Sequence, residues 1–424
     1  MNNVYIKLPI GVKYILDTLH NNHYEAFIIG GCVRDSLLNV PVHDWDITTN
    51  ALPDEIEKLF ALTYPTGKIY GTITVAYVDE KGDQSNYEVT TYRKDQNYSD
   101  GRRPDKVTFS KHLKDDVKRR DFTINAIAYN EEKGLIDYYH GIKDLKNKTL
   151  RTVRNPYERF NEDALRTVRA IRFSLKYRLD VEKKTLKAIK DLTSEKYLAQ
   201  ISRERIHDEI IKMSPYLTTN FSTFSLFVDQ IKLILAYKGD LIINSDRLDI
   251  LLAGYYYNLN NNKLLHDLKY SNDEIQSITN LIKASKILDK IHYSIEPIIG
   301  KDARYLIRKA ISETSKHYVI DALRIHYTNK LCSVNLCNNY NREDYITIPY
   351  STYEPFMKRI IREESKNCTS IKQLVIDGDY LKENYNLDGK QLGDVLKSCF
   401  EYVLKNPQEN NFEKLSSYIK TLLK

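Results

Sequence analysis

Asp44-Trp45-Asp46-Ile47-Thr48 alternates acid, apolar, acid, apolar, polar. Read as a strand, this spacing sets Asp44 and Asp46 on one face about 7 Å apart along the chain, with Trp45 and Ile47 turned into the core. Two carboxylates held side by side repel unless a cation lies between them, and hard oxygen donors suit Mg²⁺. A bare Asp-x-Asp is more often a pair of solvated acids, so its neighbours decide. Upstream, Ala26-Phe27-Ile28-Ile29 leads into Gly30-Gly31-Cys32-Val33-Arg34-Asp35: a buried strand, a glycine turn and the start of a helix. Gly30 and Gly31 let the backbone approach a triphosphate, and free N–H groups at the helix start, with Arg34 behind them, attract its charge. Glu88, mid-strand in Tyr87-Glu88-Val89-Thr90-Thr91-Tyr92-Arg93, is the best third acid, a plain surface acid being the other reading.

A second set of residues could read a base. On a helix turning about 100° per residue, Leu165, Val168, Ile171 and Leu175 share one face, leaving Glu162, Asp163, Arg166 and Arg169 largely on the other. A carboxylate only accepts hydrogen bonds and a guanidinium only donates them. Cytosine and adenine both present an amino donor beside a ring-nitrogen acceptor, whereas guanine and uracil present a carbonyl beside a ring N–H. Asp163 with Arg166 therefore complements C and A and leaves G and U with unpaired groups. The same residues could instead be a row of surface ion pairs worth a few tenths of a kcal/mol each.

These residues need a scaffold. The first 150 or so residues alternate short strands with helices, and Ile69 to Val78 and Tyr87 to Tyr92 repeat with period two. From Pro156 onward a 3.6-residue period dominates, over Glu162 to Arg172, Arg203 to Met213, Asp273 to Leu288, Ala303 to Ile311, Tyr318 to His326 and Gln391 to Leu404. The expected fold class is α+β, a head with a mixed β-sheet followed by all-α segments. At 424 residues the chain has room for more than one domain. Its net charge of +7 favours a polyanionic partner. Without an apolar run of about 18 residues or a secretory leader, it is expected to stay in the cytoplasm, away from membranes. Cys32, Cys332, Cys337, Cys368 and Cys399 are too few and too scattered for a disulfide framework and read as reduced thiols.

Strand, Gly-Gly, helix and Asp-x-Asp together resemble the nucleotidyltransferase superfamily that includes polymerase beta. Arg119-Arg120-Asp121-Phe122-Thr123-Ile124-Asn125-Ala126 and Glu162-Asp163-Ala164-Leu165-Arg166-Thr167-Val168-Arg169-Ala170-Ile171-Arg172-Phe173 narrow the likeness. With these the chain is similar to the class II CCA-adding enzymes, tRNA nucleotidyltransferases closely related to bacterial poly(A) polymerases. The match continues through Asp100-Gly101-Arg102-Arg103-Pro104 and Ser202-Arg203-Glu204-Arg205-Ile206, and covers roughly the first 215 residues.

The resemblance implies a nucleotidyltransferase head over residues 1–150, a base-reading neck over 151–215, a helical body over 216–340 and a tRNA-holding tail over 341–424. It implies that Arg120, Asp121 and Asn125 line the ribose and phosphate side of a nucleotide pocket, and that Glu162 and Arg169 orient the Asp163 and Arg166 pair. It further implies Mg²⁺ as cofactor, with tRNA, CTP and ATP as partners and DNA as none. Residues 95–105 would be a loop that switches the pocket from C to A. Lys111, Lys114, Lys118, Arg119, Arg120, Arg151, Arg154 and Arg159 would add phosphate contacts, which position an RNA without reading it. The expected activity is addition of C, C and A to the tRNA 3′ end without a template. A poly(A) polymerase or A-adding enzyme is the near alternative, and a non-catalytic RNA-binding module the distant one. His266-Asp267 lacks the spaced His partners of a metal-dependent phosphohydrolase.

Overall fold

The apolar run Ala26–Ile29 forms β1 and is buried at all four positions, as a strand covered on both faces must be. The computed structural model describes residues 4–96, 106–217, 221–235, 247–257, 262–291, 300–336 and 349–424. Further strands are β2 (Ile47–Thr49), β3 (Thr63–Gly67), β4 (Thr72–Val78), β5 (Gln84–Thr91), β6 (Arg93–Gln96), β7 (Lys106–Phe109), β8 (Ile127–Asn130) and β9 (Gly134–Asp137). Seven of them form one sheet in the order β3-β4-β5-β2-β1-β8-β9, with β6 and β7 paired separately. The sheet is mixed: β2 runs parallel to β5 and antiparallel to β1.

The helices that complete this part are α1 (Ile10–Asn21), α2 (Gly31–Leu37), α3 (Pro53–Leu59), α4 (Leu113–Lys118), α5 (Gly141–Lys146), α6 (Pro156–Glu162), α7 (Leu165–Tyr177), α8 (Lys183–Leu192), α9 (Glu195–Leu198) and α10 (Arg203–Met213). α1 buries Val12, Ile15, Leu16 and Leu19, the three- and four-residue spacing of one helix face. Phe27 and Ile29 of β1 pack with Leu113 and Val117 of α4. At the other end of the sheet Ile73, Val75 and Val89 are buried, while Tyr64, Thr66, Asn86 and Glu88 are exposed. That alternation marks a sheet end with one covered face and one open face.

The chain divides into two compact units, Met1–Lys238 and Gly239–Lys424. The second is helical where described, and its helices Asn272–Leu288, Lys301–Glu313, Lys316–Leu336 and Gly389–Lys405 each enclose the segment expected from periodicity. It holds one apolar core around Leu288, Ile307, Leu323 and Met357 and another around Leu381, Val403 and Leu415. Buried Arg308 pairs with buried Glu364 and donates to the Leu404 carbonyl at 2.7 Å, capping the end of Gly389–Lys405.

Cys32, Cys368 and Cys399 are buried free thiols, and burial pushes the Cys32 thiol up to about 12. The Cys337 position, the side chain of Cys332 and most of the expected break at 335–343 lie outside the described residues. So do Arg102, Arg103, Pro104 and most of the expected switching loop. Two expectations need correction. The strand expected from Ile69 starts at Thr72, because Lys68–Tyr70 forms a 3-10 turn closed by Gly71 at φ +85°. The helix expected over Glu162 to Arg172 is broken at Asp163, whose backbone is extended at φ −147° and ψ 106° between α6 and α7.

Candidate active site

Asp44 and Asp46 precede β2 rather than lie within it. The Asp46 carbonyl accepts the Ile29 N–H at 3.0 Å, which pins the acid-bearing segment to the end of β1. Trp45, expected in the core, is half-buried and lines the same cavity as the two acids. Regular pairing of β2 starts at Ile47, so no ladder enforces inward and outward alternation before it. The parallel register that sets Ile47 opposite Val89 brings Glu88 next to Asp46. Burial pushes the Asp46 carboxyl up and Asp44 adds to this, while Arg120 opposes it. The Glu88 carboxyl is likewise pushed up, by burial and then by Asp46 and Asp44. Asp44 raises the proton affinity of Asp46 and of Glu88, and Asp46 that of Glu88, an arrangement that favours a cation among them.

The second wall begins at Gly30, which takes φ +84°; a Cβ there would sit 2.6 Å from Nη1 of Arg120. Only glycine accommodates both the turn and the guanidinium. Asp116, fully buried on α4, ion-pairs Arg119 at 2.7 Å and Arg120 at 3.5 Å. Arg34 is buried and donates to Asn125 Oδ1 at 2.5 Å, to the Tyr177 hydroxyl at 2.7 Å and to Asp35 at 2.8 Å. It lies over the rings of Phe173 and Tyr177. Arg34 thus borders the cavity while fastening α2 to the Asn125 turn and to α7.

Asp121 accepts from the Phe122 N–H at 2.8 Å, from Asn125 at 2.9 Å, and from Arg169 Nε and Nη2 at 3.0 and 2.8 Å. Burial opposes its ionisation, but the Arg169 guanidinium and these hydrogen bonds outweigh burial and hold the carboxyl well below the usual range. A carboxyl held low in the fold contributes stability above its unfolded value, lost as pH falls toward the folded one. Asp121→Asn should therefore lower the melting temperature at neutral pH. Its deficit should narrow in melts run below about pH 4, the range of a free aspartate; a constant deficit would assign the loss to packing.

At the break after α6, Asp163 accepts from the Leu165 N–H at 3.1 Å and from both terminal nitrogens of Arg205, at 3.1 and 2.8 Å. Arg166 donates to Glu162 at 2.7 Å, to the Arg159 carbonyl at 2.9 Å and to the Arg119 carbonyl at 3.2 Å. Glu162 does hold Arg166. Arg169, expected to orient the same pair, instead reaches Asp121 and Glu209.

Three cavities follow one another along these walls. One of about 640 Å³ is bordered by Asp44, Asp46 and Glu88. The next, about 490 Å³, shares Asp44 and Asp46 and adds Gly31, Arg34, Arg120, Asp121, Asn125 and Arg169. The third, about 290 Å³, shares Arg120, Asp121 and Arg169 and adds Asp163, Arg166 and Arg205. Every expected site residue except Gly30 and Glu162 borders this series, and each of those two touches a residue that does. Several arginines expected to meet phosphate are paired within the fold: Arg119 with Asp116, Arg151 with Asp144, Arg154 with Glu158 and Arg159 with Glu162. Lys111, Lys114 and Lys118 are exposed.

Sequence reasoning missed Arg205, Tyr177 and Glu209. Arg205 lies within the Ser202 to Ile206 segment, but nothing in its spacing points to Asp163. Tyr177 donates to Asp35 at 2.9 Å, and buried Glu209 accepts from Arg172 Nε at 2.5 Å. Both link helices far apart in the chain.

Residues 26–151 match the family described as "Poly A polymerase head domain", and residues 178–213 match "Probable RNA and SrmB- binding site of polymerase A". A CCA-adding enzyme of Lactobacillus helveticus is 46% identical over 223 residues, 51% of this chain and 54% of its own length. One of Enterococcus faecalis is 47% identical over 199 residues, 47% of either chain. The chain thus spans about half the length of the curated relatives it matches. Solved structures align over nearly the whole chain and show the fold. The Bacillus stearothermophilus CCA-adding enzyme in complex with CTP aligns with TM-score 0.68 and 24% identity, over 97% of this chain and 96% of that one. A Thermotoga maritima CCA-adding enzyme complexed with tRNA aligns with TM-score 0.66 and 19% identity, over 100% and 97%.

Proposed function

We propose that this chain, whose first half is similar to CCA-adding enzymes, is a class II member of that family and adds C, C and A to the 3′ end of tRNA from CTP and ATP without a nucleic-acid template. The observation that carries the reading is the continuity of the three cavities: paired acids, a basic cradle and an Asp163 and Arg166 corner lie along one trough. The head over 1–150 would hold the triphosphate, the neck over 151–215 the base, and the body over 216–340 with the tail over 341–424 the tRNA. Among the described residues no helix is long and apolar enough to cross a membrane; we place the enzyme in the cytoplasm.

Asp44 and Asp46 fit a divalent cation, which we take to be Mg²⁺, because the donors are hard oxygens and their crowding is costly without a positive charge. Among the described residues no three His, Cys, Asp or Glu groups form a ready cage, so triphosphate oxygens would complete the shell, as suits an ion bound through few carboxylates. Such an ion supplies the charge that acidifies the attacking hydroxyl and neutralises the leaving pyrophosphate.

In the transfer, the tRNA 3′ oxygen bonds to the α-phosphorus as the bond from that phosphorus to the oxygen it shares with the β-phosphorus breaks, and pyrophosphate leaves with that oxygen and the electron pair. Glu88, whose proton affinity is raised, is placed to receive the hydroxyl proton. Arg120 faces the phosphates, and Asp121, whose acceptor positions are taken by Phe122, Asn125 and Arg169, holds Asn125 and Arg169 in place along the ribose side. Asp163 and Arg166 select the base.

The reading is tested by incubating the protein with tRNA ending at the discriminator base, Mg²⁺ and each labelled triphosphate, singly and combined. Incorporation of C, C and then A is expected. Extension by A alone would move the assignment to a poly(A) polymerase or A-adding enzyme, which share the matched head. Tight RNA binding without transfer would leave a binding module.

A further inference from the structure

The two apolar cores of the second unit share no residue among those described. The first is built by Asn272–Leu288, Lys301–Glu313, Lys316–Leu336 and Tyr350–Glu364, the second by Gly378–Tyr385, Gly389–Lys405 and Phe412–Leu422 with Cys368, Leu374 and Ile376 ahead of them. Buried charge joins them. Arg308, 4% exposed on Lys301–Glu313, donates from Nε to the Leu404 carbonyl at 2.7 Å, from Nη2 to the Lys405 carbonyl at 3.3 Å and from Nη1 to Glu364 Oε2. Glu364, also 4% exposed, accepts from Asn367 at 2.9 Å on the same oxygen and from Arg304 at 2.6 Å on the other. Alongside, Tyr305 donates to Glu401 at 3.3 Å and Lys309 pairs with Glu401 at 3.6 Å.

Burial of apolar surface is non-directional, so apolar contact alone would fix no single angle between two cores. A guanidinium is a rigid planar fork, and it meets a carboxylate and two helix-end carbonyls together in one orientation. A buried pair of this kind adds little net stability over apolar residues of the same volume. Its place between the cores therefore points to orientation rather than adhesion. We infer that Arg308 and Glu364 form the joint that fixes the direction of the tail from Cys368 onward relative to the helices before it, and that this joint sets a preference for RNA long enough to reach both. The inference rests on the proposed reading, in which body and tail hold the tRNA. Two surfaces that grip one RNA reinforce each other only while their spacing matches it, because a swinging joint lowers the effective concentration of the second contact. An acceptor stem too short to reach the tail gains nothing from the joint. Arg308 and Glu364 are positioning residues in this scheme, too buried to meet the RNA themselves.

The test compares the full-length wild type with the double variant Arg308→Met, Glu364→Leu. Affinity, KM and kcat are measured for tRNA ending at the discriminator base and for a hairpin made of its acceptor stem alone. Wild type should bind the tRNA at least about 10-fold more tightly than the hairpin. The double variant should lose about 10-fold in affinity and in KM for tRNA, part of the roughly 10²- to 10⁴-fold that bridging two sites supplies. Its affinity and KM for the hairpin, and its kcat on either RNA, should stay within about twofold of wild type. A merely structural lesion would move both RNAs and kcat together. If circular dichroism shows the double variant unfolded, Glu364→Gln, which keeps the side-chain shape, takes its place with a loss of about 3-fold or more for tRNA alone. Equal wild-type affinity for the two RNAs, equal weakening of both, or unchanged tRNA affinity in a folded variant would overturn the joint. Incorporation by wild type is scored separately. Its absence, with the affinities as expected, removes the transferase reading and leaves the joint; normal incorporation with an unaltered RNA preference removes the joint alone.

Discussion

Asp46→Asn should reduce nucleotide incorporation by on the order of 10³-fold or more, the rate equivalent of several kcal/mol of metal-derived charge stabilisation, while leaving the fold as stable as before or more so. The second half of this expectation follows from the sign of the perturbation. Burial raises the Asp46 carboxyl above its unfolded value, and Asp44 adds to it. The folded state therefore binds the proton more tightly than the unfolded state, and the associated stability is lost as pH rises through the folded value. At neutral pH the ionised side chain weakens the fold, and an amide of the same shape removes that burden.

Single-turnover incorporation and thermal melts with and without Mg²⁺ check both halves. Wild type should gain stability with Mg²⁺, as any ligand of the native state confers, and Asp46→Asn should gain little. A variant that loses activity together with stability, or that keeps the full Mg²⁺ response, would show that the acid is structural.

The second large effect concerns choice of base. Asp163 has roughly four lone-pair positions, of which Leu165 and Arg205 occupy three. Arg166 spends three hydrogen bonds on Glu162, Arg159 and Arg119, out of five N–H donors. What remains is an acceptor and donors held in fixed directions, and such a corner rejects the reversed edges of G and U by leaving buried groups unpaired. Asp163→Asn offers an amide that can turn either edge to the base. Discrimination of CTP over UTP, taken as the ratio of kcat/KM, should fall by about 100-fold or more, two mismatched bonds at about 1–3 kcal/mol each.

Arg205→Ala tests the orienting role separately, because it removes no group assigned to the base. It frees Asp163 to rotate, so discrimination should drop by about 10-fold with tRNA affinity unchanged. Unaltered selectivity in both variants would place base reading elsewhere.

These variants also separate what was legible in the chain from what was not. Gly30, the paired acids and Glu88 carry short-range signals: a forced turn, an i and i+2 spacing and strand alternation all arise within a few bonds of backbone. The apolar stripe Leu165, Val168, Ile171 and Leu175 is equally local, and all four are buried. The break at Asp163 escaped the pattern because Glu162 to Arg172 satisfies helical periodicity whether or not a bend interrupts it. Strand alternation would send Trp45 into the core, but that alternation does not reach past the point where the β2 ladder begins.

The sequence alone specified residue types and the periods that place them on strands or helix faces, because steric and hydrogen-bonding preferences of the backbone act over one to four residues. Folding decided which guanidinium neutralises which carboxylate. Arg205 reaches Asp163 across 42 residues of chain, Arg169 reaches Asp121 across 48, and Tyr177 reaches Asp35 across 142. Any arginine can serve any acid until packing brings the two together. The direction in which each functional group points is therefore a property of the assembled helices and sheet, since it depends on partners that no local spacing encodes.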